Sequence, residues 1–330
     1  MGINKVSTNI GTIVGFALCI VLLSGYALAS HYFEMGYTNI IDTMQYDRHQ
    51  RLLAGESPFF NPWQYRVLAP YAIEVLAQIG LTLGLSTAKT YFAVFMGFRF
   101  LEHLVIFGLA YLFYRKFTAN SYLILFAFIP LSYAMSRAVF DSDLSFSTYL
   151  DVIFFLLAAV CLWYERPLWW FVPLCILAAF NRETAVLIPI FLMVDSVNWN
   201  GLQSRVHSLP QLKVGALCLV LFVAIIVSLR MHYGYPQRVA PDISYILWLN
   251  CYLGHTHFWT FGMFNILPLL TFMVFRYLPT RLKLLFWVIV PIWFVIHYSM
   301  TACHESRLFL VPTVLVFMPA ALVLIDKNQE

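Results

Sequence analysis

From end to end the chain repeats one pattern: apolar runs, most close to the roughly 20 residues a helix needs to cross hydrocarbon, are separated by short loops holding Arg, Lys or Pro. A membrane barrel would instead alternate apolar and polar residues over strands of about 10 residues, and that alternation is missing. The chain is 61% apolar and 11% charged, with a mean hydropathy of +0.77. A soluble domain carries about 25% charged residues. The fold class is therefore all-α, a polytopic membrane protein forming one membrane domain over residues 1–330. A formal charge of +4, scattered over many loops, makes no basic stripe, so nucleic acid is not the expected partner. The six cysteines show no CxxC or metal spacing and read as small core residues, with Cys251 and Cys303 alone placed to pair outside.

Ten spans are expected, at 10–30, 91–114, 120–135, 146–164, 168–180, 185–197, 214–230, 259–276, 284–299 and 308–325. The first ends in Ala27, Leu28, Ala29 and Ser30, small residues of the kind a signal peptidase accepts. Its apolar region exceeds the usual 7–15 residues and only Lys5 precedes it, so it reads as a retained span. Residues 31–90 then form the first extracytoplasmic loop. Within it, 66–86 carry Arg66, Pro70, Glu74 and Gln78 at four-residue spacing, a polar stripe opposite an apolar face. A helix of that kind lies in the membrane interface. With 66–86 not crossing, eight basic residues of the short loops (Arg115, Lys116, Arg166, Arg205, Lys213, Arg276, Arg281, Lys283) fall on the cytoplasmic side, against five outside (Arg137, Arg182, Arg230, Arg238, Arg307). The positive-inside rule favours this orientation, with both termini cytoplasmic in the inner (plasma) membrane. The spans 168–180 and 185–197 are short, so a broken pair is expected around Asn181, Arg182, Glu183 and Thr184, its polar backbone buried in protein.

This topology brings four polar clusters to the extracytoplasmic face: Asp42 with Asp47, Arg48 and His49; Arg137 with Asp141 and Asp143; Asn181 with Arg182 and Glu183; and His304 with Glu305 and Arg307. A charge at a helix centre costs about 2.5–3.5 kcal/mol on insertion scales, so such groups face a partner or a wet cavity. Asp143, Ser147 and Asp151 recur every four residues and run as a polar stripe into a helix. Arg99, Glu102 and His103 lie on one face of a span and read as a self-neutralised group. Asp195, near an inner helix end, reads as solvated.

The chain resembles the GT-C superfamily of membrane glycosyltransferases, which take a polyprenyl-phosphate-linked sugar as donor. The protein mannosyltransferases and lipid A aminoarabinose transferases are members. The resemblance rests on Asp42 shortly after the first span, Tyr46 four on, Leu53, Ala54 and Gly55, then Pro58 and Phe59 leading to the interfacial helix. Further on, Asp141 opens a later span, Arg182 stands at a helix break, and Arg307 opens a late span containing Pro312.

The resemblance implies an extracytoplasmic transferase moving a sugar to a hydroxyl of a glycan, lipid or protein, with Asp42 and Asp141 as catalytic residues. An acceptor hydroxyl attacks an anomeric carbon faster when a positioned carboxylate takes its proton, the role assigned to Asp42. The leaving lipid phosphate needs guanidinium or metal stabilisation in a poorly hydrated site, the role of Arg182 and Arg307. Asp141 and Asp143 orient the sugar, hold a divalent cation such as Mg or Mn together with Asp42, or pair with Arg137. Arg66, Tyr46, Asp47, Glu183, His304 and Glu305 complete the candidate substrate-binding set, with membrane lipid as surroundings. Two rival readings remain at this point, a transporter or flippase for lipid-linked sugars and a polysaccharide polymerase.

Overall fold

The computed structural model describes residues 10–36, 44–56, 62–136, 144–198, 205–234, 243–252, 264, 266–300, 303 and 306–327. Helices dominate: α1 (Ile10–Gly36), α2 (Tyr46–Leu53), α3 (Leu68–Thr82), α4 (Thr87–Tyr114), α5 (Ser121–Ser136), α6 (Phe146–Trp163), α7 (Phe171–Asn181), α8 (Leu187–Asp195), α9 (Leu209–Tyr233), α10 (Ile243–Cys251), α11 (Leu267–Val274) and α12 (Thr280–Met300). The last helix, α13, is built from Leu310–Pro312, a π turn at Thr313–Phe317, and Met318–Lys327. Among the described residues the sheet content is one antiparallel pair, Val197–Asn198 with Arg205–Val206.

Among the described residues six helices are long and apolar enough to cross a membrane: Val14–Phe33, Thr87–Tyr114, Phe146–Trp163, Leu209–Tyr233, Thr280–Met300 and Arg307–Asp326. The other four expected spans fall on shorter segments, which include α5, α7 and α8, and α11 with the 3-10 turn Phe275–Tyr277. The outward faces are apolar, the reverse of a soluble helix. Along α9 the buried positions Gln211, Gly215, Cys218, Phe222 and Leu229 form one narrow stripe, while Leu217, Val220, Val223 and Val227 stand about half exposed or more. These surfaces mark the chain as a membrane protein, since water would penalise such apolar exposure.

The core is aromatic. Phe107, Phe113, Tyr114, Phe128, Phe309, Phe317 and Trp293 are fully buried, and α6 runs through the centre with α4 and α7 against its flanks. The π turn leaves carbonyls unclaimed by the ordinary helical ladder, and Tyr114 Oη donates to one of them, Val314 O, at 3.0 Å. Where α8 meets α9, a β-carbon on Gly215 would lie 2.6 Å from Met193 Cγ and 3.3 Å from Pro189 O, so only glycine lets the two backbones approach this closely.

At one end of the bundle Asp195 is buried rather than solvated, a correction to the sequence reading. Arg281 Nε lies 2.9 Å from Asp195 Oδ1, Gln211 Nε2 donates to Oδ2 at 3.0 Å, and Arg281 also donates to Leu162 O. Three helix ends meet at one carboxylate, and Arg281 ties the end of α6 to them. The pairing considered for Cys251 and Cys303 is absent: the two form no disulfide, Cys251 being exposed and Cys303 buried.

The stripe expected on 66–86 turns only partly toward protein: Arg66, Pro70 and Glu74 are half-buried, while Gln78 is exposed. In α3 the buried positions are Ala69, Ile73 and Ala77, and Glu74 beside them bonds His49 of α2 and Tyr91 of α4. Tyr71, Val75, Ile79 and Leu83 make an exposed apolar face. The polar groups thus find protein partners and the apolar ones face outward. At about 1.5 Å per residue, its 15 residues reach only about 22 Å, short of the roughly 30 Å hydrocarbon core.

Candidate functional site

The site assembles around the first turn of α6. Just before it, Ser145 adopts φ +57°, a left-handed conformation uncommon for a residue with a side chain. The neighbourhood holds it there: Thr148 N donates to Ser145 O at 2.9 Å, Leu144 N donates to Gln45 Oε1 at 3.0 Å, and Arg307 Nη1 donates to Ser145 Oγ. Strained residues fixed this firmly cluster at functional sites.

The helix break expected at Asn181–Thr184 is present. Helix α7 ends at Asn181, Arg182 is extended (φ −163°, ψ 144°), and a 3-10 turn, Glu183–Val186, leads into α8. The break directs a run of polar side chains at α6. Asn181 Nδ2 donates to Ser147 O at 2.8 Å, Arg182 Nη1 donates to Thr148 Oγ1 at 3.1 Å, and Thr184 Oγ1 donates to Asp151 Oδ2 at 2.8 Å. The Arg182 guanidinium lies 4.0 Å from Asp151 Oδ2. From the other side Arg66 Nε approaches Glu183 Oε2 at 3.9 Å.

Three guanidinium groups thus share one neighbourhood, and the charges of Arg66 and Arg307 both act on Arg182. The carboxylates facing them among the described residues are Asp151 and Glu183. The α6 N-terminus adds a partial positive charge worth about half an elementary unit. Several buried polar atoms here lack a hydrogen-bond partner among the described residues: Arg66 Nε, Arg182 Nε, Asp151 Oδ1, Asn181 Oδ1 and Glu183 Oε1. Such atoms normally find partners. Arg182 and Asp151 are 5% and 0% exposed, so their unmet bonding capacity is sealed from bulk water.

A half-open cleft lies over this junction, lined by Gln45, His49, Arg66, Pro70, Ser145 and Ser147 among others. It joins α2, the entry to α3 and the start of α6. An anion entering it meets Arg66 and the polar groups that open α6, with Arg182 behind them.

Of the residues singled out in the sequence, the structure gathers Arg66, Arg182, Glu183 and Arg307, together with Asp151 and Ser147 of the polar stripe. Tyr46 packs its ring on Tyr91 with centroids 4.8 Å apart. Asp47 does not join the group; it is exposed and pairs with Arg51 of its own helix at 3.0 Å. Asp42, Arg137, Asp141, Asp143, His304 and Glu305 lie outside the described residues. So does the Asp42 and Asp141 pair that a divalent cation would use, and among the described residues no three His, Cys, Asp or Glu side chains converge.

Thr148, Ser145 and Gln45 carry no sequence signal that separates them from other hydroxyls and amides of the helices. The Arg99 group is placed as expected: Arg99 Nη1 lies 2.9 Å from Glu102 Oε2, and its guanidinium covers the Tyr149 ring at 3.7 Å. No protein-family model, curated protein or solved structure matches this chain.

Proposed function

We propose that the protein is a membrane glycosyltransferase that moves a sugar from a polyprenyl-phosphate donor to a hydroxyl acceptor on the extracytoplasmic face. The observation that carries this reading is the meeting of Arg66, Arg182 and Arg307 at the first turn of α6, under a cleft. A lipid phosphate offers such guanidiniums several charged acceptor oxygens in one group. As the sugar–phosphate bond breaks, charge grows on those oxygens, and preorganised donors in a poorly hydrated site stabilise it most at that moment. The resemblance to GT-C enzymes supplies the sugar, and Asp42, in the same loop as α2, is the base it implies.

The proposed topology has ten crossings, with the short helices α5, α7, α8 and α11 completing those that the six long helices begin. Both termini face the cytoplasm of the inner membrane, and α3 lies along the outer surface. The inward turn of Glu74 and the outward apolar face of α3 support that placement.

The test is a transfer assay with purified protein, polyprenyl-phosphate hexoses and pentoses carrying a labelled sugar, and extracted envelope lipids and glycans as acceptors. Wild-type protein is expected to transfer sugar, and Arg182→Lys to lose transfer while keeping its folded elution profile. Arg182→Lys transferring at the wild-type rate, or wild-type protein moving the intact lipid-linked sugar across vesicles without transferring it, would sink the proposal.

A further inference from the structure

The wall of the cleft formed by α2 carries an imidazole that the guanidinium junction does not use. His49 is 3% exposed and lines the cleft. Its Nε2 lies 2.9 Å from Glu74 Oε2. The same oxygen accepts from Tyr91 Oη at 2.9 Å, and the other carboxylate oxygen accepts from Gln78 Nε2 at 2.6 Å. Burial alone would raise the Glu74 carboxyl, but the bonds from Gln78, His49 and Tyr91 outweigh it and hold its pKa below the ordinary value.

Ionised Glu74 only accepts hydrogen bonds. Nε2 of His49 is therefore the protonated nitrogen, and Nδ1 of the neutral ring is the basic one. Burial lowers the His49 pKa, opposed in part by Glu74, so the ring is neutral at pH 7. Tyr91 and Phe95 hold it in place at centroid distances of 5.5 and 5.6 Å. Among the described residues, the titratable and charged groups facing it from other elements are Glu74 on α3, Tyr91 on α4 and Arg66 of the same cleft. On its own helix, exposed Asp47 and Arg51 satisfy each other.

A carboxylate–histidine pair can simply tie one helix to another. This pair differs in bordering the cleft that also holds Arg66 and the strained Ser145. We propose that His49 takes the proton of the acceptor hydroxyl and that Glu74 is the residue that positions it, an assignment that rests on the transferase reading and moves the proton-accepting role away from Asp42. In the step, the acceptor oxygen forms its bond to the anomeric carbon. The bond from that carbon to the donor phosphate oxygen breaks, its electron pair staying on the phosphate beside the guanidiniums. The hydroxyl proton passes to His49 Nδ1, and the resulting imidazolium is stabilised by the Glu74 carboxylate.

Two measurements on the full chain test this. In the transfer assay, His49→Gln is expected to lower kcat about 100-fold, the lower end of what general acid–base catalysis supplies, with the donor KM unchanged and the acid limb of the pH profile gone. Glu74→Gln should shift that limb. An acid limb that persists in His49→Gln and vanishes in Asp42→Asn would return the proton to Asp42 and overturn the assignment while leaving the transferase reading intact. No transfer by wild-type protein would remove both. Independently of activity, nitrogen-15 NMR of labelled histidines should find His49 at pH 7 as the neutral Nε2–H tautomer, and an imidazolium at that pH would overturn the assignment by itself.

Discussion

Arg182 and Asp151 face each other at 4.0 Å inside the bundle, yet the nearest Arg182 donor bond goes to Thr148 and the nearest Asp151 bond comes from Thr184. The two charges are neighbours held apart by hydroxyls. Nε of the one and Oδ1 of the other have no partner among the described residues. Removing only one of two buried opposite charges typically costs about 3–5 kcal/mol, because the survivor is left uncompensated. Asp151→Leu is therefore expected to lower the unfolding midpoint in detergent sharply, and Asp151→Leu with Arg182→Met to restore most of it. A double variant no more stable than the single one would mean the pair does not share its charge.

Arg66 differs from Arg182 in lying at the cleft rather than behind it, with its side chain 16% exposed. Its Nε has no partner among the described residues. Arg66→Lys keeps the charge and removes the planar fork that can grip two phosphate oxygens. A hydrogen bond to a charged group contributes about 1.5–3 kcal/mol, so binding of polyprenyl phosphate, read by equilibrium dialysis into detergent, should weaken by about tenfold or more. Unchanged affinity would place the phosphate elsewhere.

Burial of His49 and the hydrogen bonds to Glu74 both make stability pH-dependent, and they push the same way. The folded pKa of His49 is lowered from 6.5, so the unfolded chain binds the proton more readily and stability falls as pH drops through the ordinary histidine range. The folded pKa of Glu74 is also lowered, from 4.5, so its contribution is present above that value and fades as pH falls toward the folded one. The unfolding midpoint should therefore drop between pH 7.5 and pH 5.5, and His49→Gln should flatten the drop. An identical slope in wild type and variant would remove His49 as its source.

Gly215 tests the packing of α8 on α9. A side chain there runs into Met193 and the backbone of Pro189, and overpacking of this kind costs about 1–3 kcal/mol. Gly215→Val should lower the thermal midpoint, whereas the same change at Gly108, which meets nothing within 4 Å, should cost far less. Equal losses at both positions would point to helix propensity rather than to contact.

Several features were legible before any coordinates. Apolar runs of spanning length dictate helices, because lipid leaves the backbone no other partner, and six of the ten expected spans are helices long enough to cross. The break at Arg182 was visible as polar residues between two short runs. The direction of the α3 stripe was not. Four-residue spacing shows that Arg66, Pro70, Glu74 and Gln78 share a face, but whether that face meets water or protein depends on what α2 and α4 bring to it, here His49 and Tyr91. Asp195 was misread for the same reason, since its partners Gln211 and Arg281 are distant in the chain.

The sequence by itself determined that the chain is helical, suited to lipid, and marked by charges too costly to leave unpartnered, because hydropathy and spacing are local properties of the chain. Which charges meet was decided only by the tertiary structure. Arg66, Arg182 and Arg307 are separated by more than a hundred residues each, and bundle packing alone brings them to one turn of α6. Coulomb attraction and hydrogen bonding act over a few ångströms of space, and that distance is set by how the helices pack.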